Sequence, residues 1–163
     1  MNSDLIILTF AQEDGAFQAR QALEIMRGKQ LFGLENTALV TRDRAGQTTI
    51  HQRWGLPAYP RNPRRRLPVL FAGAIFGDVP EEGIRKLADA GLDEMFLKEV
   101  ATALDPDGSA LLVYIPPDSI VDTRRLLDAL ALFSGKLHHT RIPSQVEEAI
   151  LGLAEIEYSD SMV

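Results

Sequence analysis

With 163 residues, 45% hydrophobic and 25% charged, the chain has the make-up of one globular domain able to bury a sizeable core. A net charge of −6 excludes general nucleic-acid affinity, which needs a basic face, so nucleic acid is not an expected partner. The lack of cysteine excludes disulfides, thiolate zinc sites and cysteine nucleophiles, and it fits a reducing cytoplasm.

Leu5–Phe10 is apolar at both parities, the pattern of a central strand covered on two faces. Its run is short and has no basic start, so it reads as a strand and not as a signal peptide. Asp14 and Gly15 open a helix with Phe17, Ala19, Ala22, Leu23 and Met26 in one stripe, closed by Gly28–Gly33. Asn36–Arg42 and Thr48–Trp54 are strand-like runs around Asp43-Arg44-Ala45-Gly46-Gln47, which has the composition of a hairpin loop. In the second run Thr48, Ile50, Gln52 and Trp54 share a face, with His51 and Arg53 on the other.

Pro60–Gly77 then breaks the pattern. An arginine cluster (Arg61, Arg64, Arg65, Arg66) runs into eleven uncharged, mostly apolar residues, Leu67–Gly77. Beyond it, Pro80–Ala90 reads as a helix with proline first, Glu81 and Glu82 at the positive end and Gly91 as terminator. Asp93 caps a helix to Leu104 that buries Phe96, Val100, Ala103 and Leu104. Asp105-Pro106-Asp107-Gly108 is a turn, and Ala110–Ile115 a second covered strand. Asp118 or Ser119 caps a helix carrying Leu126, Leu127, Leu130 and Phe133, with Gly135 at its C′ position. Lys136–Ile142 is a strand. Ser144 and Glu147 form a capping box for a last helix with Val146, Ala149, Ile150 and Leu153 inward.

Outside the insert, the first six regular elements read βαββαβ. The expected fold is therefore an α+β, ferredoxin-like sandwich with a mainly antiparallel sheet, extended by a C-terminal α-β-α. One domain spans 1–154, with the Arg-rich and apolar insert at 55–79; 155–163 is an acidic tail expected to fray. No window reaches the ~20 apolar residues of a spanning helix.

The runs L-I-I-L-T-F, E-N-T-A-L-V-T-R-D-R-A-G-Q-T-T-I-H-Q, L-D-E-M-F-L-K-E-V-A-T-A-L-D-P-D-G-S-A-L-L-V-Y-I and G-K-L-H-H-T-R-I-P resemble a bacterial family of small predicted membrane proteins. That family is domain-of-unknown-function family twelve sixty-nine. The resemblance covers nearly the whole chain and lies in element order and local flavour, with no catalytic motif among the matching residues. It implies a long glycine- and alanine-rich apolar hairpin where this chain keeps only Leu67–Gly77, with Gly73-x-x-x-Gly77 as a remnant. It implies no activity and no catalytic residues.

Charge is segregated along the chain. Arg53, Arg61, Arg64, Arg65 and Arg66 give the Arg53–Arg66 stretch +5, while Glu147, Glu148, Glu155, Glu157 and Asp160 give 143–163 a charge of −5. The arginines read as a docking site for an anionic protein or lipid surface, as a contact with another protomer's acidic end, or as a solvated loop. The last is favoured, because surface ion pairs stabilise by only ~0–1 kcal/mol. Leu67, Val69, Leu70, Phe71, Ile75 and Phe76 form a contact surface for burial in the fold or against a second copy. Both are expected over lipid contact, since eleven residues are short for an anchor.

His138 and His139 are adjacent in a strand and face opposite sides, so they cannot chelate one ion. Glu81, Glu82, Glu147 and Glu148 read as helix-start carboxylates, and Ser119 and Ser144 as caps rather than nucleophiles. Trp54 and Tyr59 flank the arginine loop, where they read as packing or as pocket walls. No phosphate loop, G-x-S-x-G or G-x-G-x-x-G is present. The expectation is a cytoplasmic, non-enzymatic binding or interaction module, homo-oligomeric through the apolar insert, with no cofactor, metal or catalytic residue. One alternative is a small enzyme or ligand sensor using His51, His139, Arg141 and Tyr114 on a sheet face or in a dimer cleft. The other is peripheral membrane association through Arg61–Gly77.

Overall fold

Two strands with apolar residues at both parities must be covered on both faces, and they form the middle of the sheet. A computed structural model describes residues 2–27, 37–51, 67–117 and 123–161, with side chains to residue 152 apart from 24, 26 and 27. The elements are β1 (Ser3–Phe10), α1 (Gly15–Arg27), β2 (Thr37–Arg42), β3 (Thr48–His51), α2 (Leu67–Phe76), α3 (Pro80–Ala90), α4 (Glu94–Ala103), β4 (Ser109–Ile115), α5 (Thr123–Leu130), β5 (Lys136–Ile142) and α6 (Ser144–Ser161). The fold is α+β, with an open five-stranded sheet in the order β3-β2-β4-β1-β5. Every neighbouring pair is antiparallel. Leu5 stands opposite Tyr114 on one side of β1 and opposite Thr140 on the other.

This register divides the core between the two faces. Leu5, Ile7, Val40, Leu112, Tyr114 and Ile142 join side chains of α2, α3, α4 and α6. Ile6, Leu8, Phe10, Leu39, Leu111 and Val113 pack with α1 and α5. The α1 stripe is Ala16, Ala19 and Leu23; Phe17, expected in it, is 42% exposed and meets the His51 ring edge-on at 5.2 Å. Small residues let α1 lie close to the sheet, leaving the phenyl ring to the rim.

The apolar stretch is a helix. Pro68 in the first turn has a ring compatible with a helix start, and no charge interrupts the residues that follow. A helix apolar all round belongs inside a protein. Leu67, Phe71, Ile75 and Phe76 are fully buried in the chain's own core, and Val69 and Leu70 are half-buried against it. The reason for expecting a second copy over this surface is thereby removed. No helix among the described residues is long and apolar enough to cross a membrane. Helices α2 and α3 approach closely at Gly83, where a Cβ would lie 2.0 Å from the Ala74 carbonyl oxygen.

Other local expectations divide. Asp93 Oδ1 accepts from the Met95 amide at 3.0 Å, as a helix cap should. In α4 it is Leu97, with Val100, that is buried, and Phe96 is half-buried. Gly135 is not at the C′ position of α5, which ends at Leu130; a Cβ there would come within 2.8 Å of the Phe10 ring. The last helix continues to Ser161, past the expected start of a frayed tail. Ala154, Glu155 and Glu157 are good helix formers, which favours that continuation. Arg53, Trp54, Tyr59, Arg61, Arg64, Arg65, Arg66, Asp118 and Ser119 lie outside the described residues.

Candidate functional site

Between the end of α2, the start of α3 and one face of α4 lies a cleft of about 770 Å³. Ile75, Val79, Pro80, Ile84 and Ala101 supply its apolar lining. Its charged lining is Arg42, Arg85 and Lys98 against Glu81, Glu82 and Glu94. This size and mixture fall within the usual range for small-molecule sites.

Arg42 is the best-held cation of the cleft. It ends β2 on the sheet face that α2, α3 and α4 cover. Its Nη1 donates to the Leu104 carbonyl at 2.7 Å and its Nε to the Thr48 hydroxyl at 3.2 Å. Two anchors at different atoms fix the guanidinium plane, so ordering it for a ligand costs little side-chain entropy. Lys98 pairs with Glu94 at 3.0 Å and Lys86 with Glu82 at 3.2 Å, each at i,i+4 along its own helix. Glu81 and Arg85 have the same spacing, yet they form no ion pair among the described residues.

A second polar cluster is buried beneath α6. Glu147 is 3% exposed, and its Oε1 accepts from the Tyr114 hydroxyl at 2.6 Å and also from the Ser3 hydroxyl. The two hydroxyls are 3.0 Å apart. Glu147 was expected to be a helix-start carboxylate; its position in the first turn of α6 is as expected, but its carboxylate faces the sheet. A buried carboxylate requires donors, and β1 and β4 supply them.

The side chains considered for an enzyme do not converge. Tyr114 is buried under α6. His139 lies on the opposite sheet face, with Nε2 2.8 Å from Asp4 Oδ1. His51 is on the far edge strand, with Nε2 2.9 Å from the Thr41 hydroxyl. Arg141 is exposed on β5, and none of the four lines the cleft. No group of three potential metal-binding side chains occurs among the described residues.

His138 is a buried group with a displaced titration. It is 6% exposed, and its Nε2 meets no hydrogen-bond partner among the described residues. Burial holds its pKa below the ordinary 6.5, Lys136 adds to the effect and Glu99 opposes it. Above pH 6.5 the ring is neutral both folded and unfolded, so it adds no pH dependence. Below that value the unfolded chain takes up the proton first, and stability falls until the folded form is protonated too. This contribution has a slope of at most about 1.4 kcal/mol per pH unit. Urea midpoints at pH 7.5 and 5.5 should drop more for the parent than for His138→Phe. Equal drops would show that His138 contributes nothing.

No protein-family model, curated protein or solved structure matches the chain.

Proposed function

We propose that this chain is a non-enzymatic binding domain that takes a small ligand into the cleft between α2, α3 and α4. The observation that carries this reading is Arg42, locked by Leu104 and Thr48 beside an apolar lining of Ile75, Val79 and Ile84. A fixed guanidinium next to apolar surface suits a ligand with a charged head and a greasy body. Among the described lining residues one hydroxyl occurs, on Thr102, and it donates back to the Lys98 and Glu99 carbonyls of its own helix. That arrangement favours holding a ligand over breaking a bond.

Within this reading the core is ferredoxin-like. The first six elements do not make that core, because β3 lies at the sheet edge and α3 and α4 pack on the other face. With β3 set aside, the order β2-β4-β1-β5 and the placing of α1 and α5 on one face support the split βαβ pattern with β5 and α5 inside it. The helices α2, α3 and α4 are then an insertion that covers the second face and brings the cleft with it. The likeness to family twelve sixty-nine rests on the residue runs alone and adds no ligand.

The test is a thermal-shift and calorimetric screen of small carboxylates, amines and zwitterions against the parent, Thr102→Trp and Arg42→Gln. A cleft ligand at a hundred times its Kd stabilises the parent by about 2.7 kcal/mol. Thr102→Trp, which places an indole in the cleft, should abolish the effect, and Arg42→Gln should weaken it at least tenfold. Ligands that bind all three proteins equally, or a screen with no binder, would overturn the reading.

A further inference from the structure

The charge pattern of the cleft restricts what can enter it, and this step rests on the binding reading above. Among the described residues, three cations and three carboxylates line the cavity, so this lining is neutral in a chain of net charge −6. Its charges are not all committed. Glu82 and Glu94 are each taken by the lysine one turn on, whereas Glu81 and Arg85 have no ion pair at the same spacing. Arg42 keeps its Nη2 without a hydrogen bond among the described residues. The groups left for a ligand are therefore two guanidiniums and one carboxylate.

A simple anion would gain Arg42 and Arg85, but it would meet the Glu81 carboxylate and approach a negatively charged chain. A simple cation would gain Glu81 and be repelled by two guanidiniums. Like charges brought together in a partly desolvated cavity cost more than they do in water. A molecule carrying both charges satisfies both sides.

We propose that the ligand is a small zwitterion with an apolar body, an amino acid or short peptide. Its carboxylate takes Arg42 and Arg85, its ammonium takes Glu81, and its side chains lie on Ile75, Val79 and Ile84. The planar guanidinium matches a carboxylate through two parallel hydrogen bonds, and Arg42 is already oriented for it. Glu81 lies in the first turn of α3, where the positive end of the helix favours its negative charge.

The experiment is calorimetric titration at pH 7 with L-leucyl-L-leucine, N-acetyl-L-leucyl-L-leucine and L-leucyl-L-leucinamide. The proteins are the parent, Glu81→Gln, Arg85→Gln and Thr102→Trp. The parent should bind the free dipeptide at least tenfold more tightly than either capped form. Glu81→Gln should erase the preference over the N-acetyl form, and Arg85→Gln should reduce the preference over the amide. Equal binding of a capped form in the parent, or unchanged preferences in both variants, would overturn the zwitterion while leaving the cleft as the site, provided Thr102→Trp abolishes binding. If none of the three peptides binds, the zwitterion also falls. The cleft reading then stands or falls on whether the wider screen yields a ligand that Thr102→Trp excludes.

Discussion

Glu147→Leu is expected to lower the free energy of unfolding by about 3 kcal/mol. The substitution removes the acceptor shared by two buried hydroxyl groups, on Ser3 and Tyr114. These lie 3.0 Å apart and can still donate one to the other, so the cost is that of losing their bonds to a carboxylate, ~1.5–3 kcal/mol. Leucine is of similar size, so lost packing adds little. Adding Ser3→Ala and Tyr114→Phe removes the donors as well, and the triple variant should come back to within about 1 kcal/mol of the parent. Urea unfolding of the single and triple variants measures the coupling directly. A neutral Glu147→Leu would mean that the carboxylate is not engaged beneath α6, and an additive triple variant would mean that the three groups do not act together.

Gly83→Ala is expected to cost about 2–3 kcal/mol, from a change of one methyl group. The added Cβ would sit 2.0 Å from the Ala74 carbonyl oxygen and 2.7 Å from its carbon, both backbone atoms. Backbone cannot rotate aside as a side chain can, so α2 and α3 must separate, and overpacking of this kind typically costs ~1–3 kcal/mol. Ordinarily Gly→Ala inside a helix stabilises it by up to ~1 kcal/mol, so the sign of the effect tests the contact. Because α3 lines the cleft, the same variant should also weaken ligand binding. A Tm at or above that of the parent would show that the two helices do not meet at this point.

The sheet was legible from sequence where the chemistry was local. Leu5–Phe10 and Ala110–Ile115 are apolar at both parities, and the structure puts them side by side at the centre of the sheet. Strand parity also separated His138 from His139: the first is buried on the face shared with Ile7, and the second reaches Asp4 on the other. Leu67–Phe76 resisted assignment because a run apolar at every position carries no period to tell helix from strand.

The polar groups were harder to read for a different reason. Ser3 and Glu147 are 144 residues apart, and Ser3 and Tyr114 are 111 apart. Glu147 also satisfied the pattern of a helix start, so its local explanation looked sufficient. A tyrosine within the otherwise aliphatic Ala110–Ile115 strand was the available signal, since a buried hydroxyl needs a partner. The cleft needed three helices and the end of β2 to be brought together.

Helix α2, buried by its own chain over the second face of the sheet, holds the cleft and the core together. Amide hydrogen exchange across Phe71–Phe76, measured at several protein concentrations, tests this directly. Protection close to that of β4 and unchanged on dilution is the predicted result; rapid exchange, or protection that fades as the protein is diluted, would contradict it.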